Sequence, residues 1–139
     1  MRLLMSATSV LFFATAVNGC SDSSGPQSTE TQWVVGVWSA FTSAPSKSLG
    51  MSLVLHGATV TGPGNWCENL VCGTTSVTGT VTGNTVHIVT TFDTGRIETF
   101  DGTLESANTI VGSETEISPG GQTQLPVAQT FQRIMVDPL

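Results

Sequence analysis

The chain has 139 residues, enough for one domain of ordinary size. Four basic residues stand against ten acidic ones, a net charge of −6, which leaves no basic footprint for nucleic acid and no polybasic patch for anionic lipid. Val, Thr, Ser and Gly dominate and Tyr is absent, a composition suited to pleated strands and tight turns rather than helices.

The first nineteen residues differ from the rest. Arg2 gives a positive start, and residues 3–17 form an apolar run containing Leu4, Val10, Leu11, Phe12 and Phe13. That run is shorter than the roughly 20 apolar residues of a bilayer span. It has the charged, apolar and small-residue parts of a signal peptide. The segment Val17-Asn18-Gly19-Cys20 resembles a bacterial lipobox. The resemblance implies cleavage after Gly19 and a lipid on the Cys20 thiol, so that residues 1–19 are a lipoprotein signal peptide. The alternative is an ordinary secretory signal that leaves Cys20 a free thiol. Ser21 resembles an outer-membrane retention signal and places the product in a bacterial cell envelope, anchored by lipid to the outer membrane and facing the periplasm or the cell surface. Residues 20–32 then comprise the lipidated cysteine and a polar, breaker-rich tether. Twelve such residues span on the order of 20 Å root-mean-square.

Three cysteines in an exported chain leave one odd. A lipid on Cys20 accounts for it, and Cys67 and Cys72 are left to pair in an oxidising compartment. A metal site built on those two is disfavoured, because His56 and His87 fall in separate strands without ligand-like spacing. No metal or cofactor is expected.

Residues 33–139 read as one all-β domain. Turn signals divide it into eight strands, at 33–42, 51–56, 59–65, 74–82, 85–92, 96–105, 109–117 and 125–134. Alternation is clearest from Ser76 to Thr82, where Val77 and Val81 share one face and Ser or Thr occupies the other. Phe100, Gly102 and Leu104 share a face in the sixth strand. The stretch from Gly79 to Val86 echoes that from Gly102 to Ile110, as adjacent hairpins of a meander do. Connections at 56–58, 83–84 and 106–108 are short, and 93–95 is intermediate. Those at 43–50, 66–73 and 118–124 read as longer. In an eight-stranded antiparallel up-and-down meander barrel the long connections gather at one end. An open two-sheet sandwich is the alternative.

Gly36-Val37-Trp38 in the first strand and Phe131-Gln132-Arg133 in the last resemble the lipocalin and wider calycin pattern, and the layout is similar to avidin-type barrels. The resemblance implies that Trp38 plugs the closed end of the barrel, that Arg133 packs across its ring, and that Gly36, Trp38 and Arg133 are structural.

No nucleophile elbow, phosphate-cradling loop or dinucleotide fingerprint is present, and the chain is not expected to be an enzyme. Glu114 and Glu116 share a strand face, as do Arg96 and Glu98, and both pairs read as solvated faces. Trp66, Leu70 and Val71 flank or fill the segment between Cys67 and Cys72. They either contact a ligand or partner at the barrel mouth or fold inward as a plug. Phe92 and Glu98 join them as candidate mouth residues. The expected function is a membrane-tethered, non-enzymatic binding module, a monomer, holding a small apolar or amphipathic ligand at that mouth. The alternative is an envelope protein-interaction module, an inhibitor or assembly accessory, acting through its long loops.

Overall fold

A computed structural model describes residues 33–43 and 46–134. The expected signal peptide, Cys20 and the tether lie outside the described residues. The described chain forms eight strands: β1 (Gly36–Ser43), β2 (Ser46–His56), β3 (Thr59–Glu68), β4 (Val71–Thr82), β5 (Thr85–Phe92), β6 (Ile97–Ser106), β7 (Thr109–Ile117) and β8 (Val127–Arg133). Each pairs antiparallel with the next, and β8 returns to β1, closing the barrel in meander order. This closure is compatible with a lipocalin-like fold and excludes the open sandwich.

Period-two alternation builds the core. Leu49, Met51 and Leu53 of β2, Val77 and Val81 of β4, Val86 and Ile88 of β5, and Phe100 and Leu104 of β6 all point inward and are buried. Full burial of each such side chain contributes about 1.5–3 kcal/mol relative to leaving it exposed. Phe100 meets Phe131 edge-on, with centroids 5.0 Å apart and planes at 89°. Space for that pair comes from Gly102, which lies opposite Gly112 of β7. A Cβ on Gly102 would strike the Phe100 ring, and one on Gly112 would strike the Asp101 carbonyl of the neighbouring strand.

The lower end is closed as the lipocalin-type pattern implies. Trp38 is fully buried, its indole donates to the Val34 carbonyl at 2.7 Å, and the Arg133 guanidinium lies 4.6 Å from its ring centroid. Arg133 also donates to the carbonyls of Ala107 (2.7 Å), Val35 (2.6 Å) and Trp33, tying the chain entry to β8 and the β6–β7 turn. Gly36 has φ of 144°, and a Cβ there would collide with the arginine.

Two expected long connections prove to be strand. β2 begins at Ser46 rather than 51, because Lys47 and Leu49 continue the inward alternation of Met51 and Leu53 through a segment whose Ser and Gly content reads as loop. The stretch 66–73 is a hairpin with Asn69 and Leu70 at its turn. Cys67 and Cys72 face each other in the β3–β4 ladder, Cα atoms 4.0 Å apart, and are joined by a disulfide. That bond therefore staples a hairpin instead of closing a loose loop. Among the described residues, the long connection at the upper end is the one between β7 and β8.

Candidate ligand-binding site

The upper half of the barrel interior is charged. Inward positions of β2, β3, β6 and β7, with Arg96 just before β6, bring together Lys47, Glu68, Arg96, Glu98, Glu114 and Glu116. Lys47 Nζ donates to Glu98 Oε1 and, at 2.9 Å, to Glu114 Oε1. Arg96 pairs with Glu68 at 2.6 Å, with Glu98 at 3.4 Å and with Glu116 at 3.9 Å. Its guanidinium also lies over the Phe92 ring at 3.9 Å and the Trp66 ring at 5.1 Å. Trp66 packs edge-on against Phe92 and donates its indole N–H to Asp93 at 3.0 Å.

Burial and charge decide the ionisation here. Glu98 is 2% exposed, and its carboxyl pKa is pushed up to about 7, first by desolvation and then by the nearby Glu114 charge, against the pull of Lys47 and Arg96. Burial on its own lowers the Lys47 pKa, but the hydrogen bond and charge of Glu98, with those of Glu114, outweigh it and hold the ammonium above its ordinary value. The Thr74 amide and the Trp66 indole hold the Asp93 carboxyl below the usual range. Among the described residues, the buried polar atoms without a hydrogen-bond partner are Thr75 Oγ1, Arg96 Nε and Nη2, and Glu98 Oε2. Three of those four belong to the charged cluster.

Above the cluster opens a cavity of about 410 Å³. Its lining carries Lys47, Glu68, Glu114 and Glu116 together with Leu125 and Val127, and Val127 pairs with Glu114 across the β7–β8 ladder. Its position follows from the barrel seam. β1 and β8 pair at Trp38–Arg133 and Ser39–Gln132, and the described ladder goes no further towards the upper end. Thr42 on β1 and Gln129 on β8 both line the cavity in the gap that results.

The structure separates the expected mouth residues into two groups. Trp66, Phe92 and Glu98 are buried inside the barrel, forming and supporting the charged cluster. Leu70 and Val71 stand out on the hairpin tip, Leu70 fully solvent-exposed. Glu114 is also inside, 5% exposed, which corrects the solvated-face reading of Glu98 and Glu114. Parity gave the missed signal: Glu98 precedes Phe100 by two, and Glu114 follows Ile110 by four, so each faces the core with them. Lys47 was hidden because its segment reads as loop. His87 pairs with Asp101 at 2.6 Å on the outer face, away from this site. Among the described residues, no group of three or more His, Cys, Asp or Glu side chains is placed to hold a metal ion. The chain matches no protein-family model and no curated protein sequence.

Proposed function

We propose that this chain is a membrane-tethered, lipocalin-like binding module, not an enzyme, that holds a small amphipathic ligand at the open end of its barrel. The observation that carries the reading is the upper cavity, which is the right size for a small molecule and is lined by charged and apolar side chains together. The lower barrel is filled by its own side chains, so a ligand is held at the mouth and not in a deep lumen. Buried charge clusters cost stability unless every group is satisfied, and this one leaves several polar atoms unpaired. Retaining such a cluster beside a cavity is the expected mark of a recognition site. The tether rests on the lipobox-like residues 17–20, and with Ser21 they suit a place in the outer membrane of a bacterial envelope.

The test is binding of N-phenyl-1-naphthylamine, a small uncharged fluorescent hydrophobe, to the full chain and to Val127→Trp, which fills the apolar part of the cavity. Binding to the first and loss in the second, at unchanged melting temperature, supports the reading. Equal binding by both places the probe elsewhere and removes the cavity from the argument.

A second reading, a protein-interaction module, is favoured by Leu70 alone. This leucine is fully exposed and has φ of 71°, a conformation costly for a branched side chain, on a hairpin pinned by a disulfide. Loss of a partner by Leu70→Ser, with cavity binding intact, would favour it.

A further inference from the structure

We infer that the ligand's polar end is an organic cation, an ammonium or guanidinium group carried on a small apolar body. The inference rests on the proposed reading of the cavity as a ligand site and specifies what that site selects. Four carboxylates, Glu68, Glu98, Glu114 and Glu116, share two cations at the upper end. Lys47 is committed, and Arg96, which keeps its buried Nε and Nη2 without a hydrogen-bond partner, does not line the cavity. Lys47 bridges Glu98 and Glu114, and Arg96 is divided among Glu68, Glu98 and Glu116 while stacked on Phe92.

The unsatisfied acceptor lies on the carboxylate side. Glu98 is buried, and its Oε2 has no hydrogen-bond partner among the described residues. It sits directly behind Lys47, which lines the cavity together with Glu68, Glu114 and Glu116. A third positive charge in the cavity would meet the carboxylates of Glu114 and Glu116 and lie in the field of Glu98. An anion would face three carboxylates with Lys47 as the one cation in the lining. Leu125 and Val127 line the cavity beside the carboxylates and give the apolar body a surface. The arrangement does not fit a bare metal ion, since the carboxylates are spread along the wall and not convergent.

Ligand charge and proton release are coupled in this site. The groups facing Glu98 are Lys47 from β2, Thr90 from β5, Arg96 before its own strand, and Glu114 and Glu116 from β7. With its pKa near 7, Glu98 is part-protonated at neutral pH, and an arriving cation favours the charged form. Binding should therefore release a fraction of a proton near pH 7 and strengthen as pH rises from 6 to 8.

The experiment titrates the full chain with three probes that share a phenylethyl body: 2-phenylethylammonium, 2-phenylethanol and 3-phenylpropanoate. Calorimetry in buffers of different ionisation enthalpy reads affinity and proton release together. The expected result is that the ammonium binds about tenfold or more tighter than the other two, with proton release at pH 7. Glu114→Gln and Glu116→Gln should each weaken it severalfold, and Glu116→Gln, whose pairing with Arg96 is long, should do so without a change in melting temperature. If the alcohol or the carboxylate binds as tightly as the ammonium, the inference fails while the cavity remains a ligand site. If these three and N-phenyl-1-naphthylamine all fail to bind, the ligand-site reading fails with it.

Discussion

Glu98 carries a pH signature in the stability of the domain as well as in its binding. Its folded pKa, about 7, is raised from the ordinary 4.5. The folded state thus holds this proton more tightly than the unfolded chain does. Stability from the group is complete below pH 4.5 and is lost as pH climbs through 7, by about 3 kcal/mol over the whole window. Asp93 shifts the other way, but it acts near and below pH 4, outside that range. The domain should therefore melt at lower temperature at pH 8 than at pH 5, and Glu98→Gln should flatten the difference, since a carboxamide still accepts from Lys47. Equal pH slopes in the two proteins would show that Glu98 is not the buried proton. At the closed end the balance is apolar. Trp38→Ala removes a fully buried indole and the surface on which Arg133 lies, and should cost about 3–5 kcal/mol in chemical denaturation. Arg133→Ala should cost less, because its guanidinium is held mostly by carbonyls at the rim. A Trp38→Ala protein with unchanged stability would refute the plug.

Between residue and barrel, the β3–β4 hairpin shows what stability alone does not explain. Its two turn residues both have positive φ, Asn69 at 49° and Leu70 at 71°. This is the geometry that Asn-Gly sequences favour, and leucine there is strained. Leu70→Gly should raise stability by about 1 kcal/mol in thermal or urea melts. Opening the Cys67–Cys72 bond should lower it by about 2 kcal/mol, since the closed loop is short. If Leu70→Gly destabilises instead, the side chain has a packing role that its full exposure does not show. The same hairpin marks the limit of what pattern reading reached. Strands whose apolar residues keep one parity, such as Val77 and Val81 in β4 and Val86, Ile88 and Phe92 in β5, are legible because burial repeats with the pleat. Residues 46–50 and 66–73 are not, because Ser, Gly and the cysteines read as turn while Lys47, Leu49 and Trp66 keep the inward parity. The buried cluster was missed for a related reason: a charged side chain on a strand is most often outward, and only its register with Phe100 or Ile110 says otherwise. Pairing of Cys67 with Cys72 was legible from their count, and the Trp38–Arg133 contact from a resemblance.

At the scale of the whole molecule, the chain enters at the closed end, where Gly36 begins β1 beside Arg133 of β8. The turns at 57–58, 83–84 and 107–108 share that end. The hairpin tip with Leu70, the β7–β8 connection and the cavity lie at the other. Strands of these lengths, tilted as closure requires, separate the two ends by on the order of 25 Å. If Cys20 carries a lipid, the segment between it and Trp33 leads to the closed end, and the cavity faces away from the anchoring leaflet on average. A site so placed is suited to capturing a soluble ligand or partner, and poorly suited to drawing lipid from its own membrane. Cys20→Ser should release the protein from membranes and leave its precursor uncut, as fractionation would show. In the anchored protein, a fluorophore at Ala107 should be quenched by lipid-borne quenchers more strongly than one at Asn69. Stronger quenching at Asn69 would turn the open end towards the bilayer, and capture of a membrane-borne ligand would then replace capture from solution.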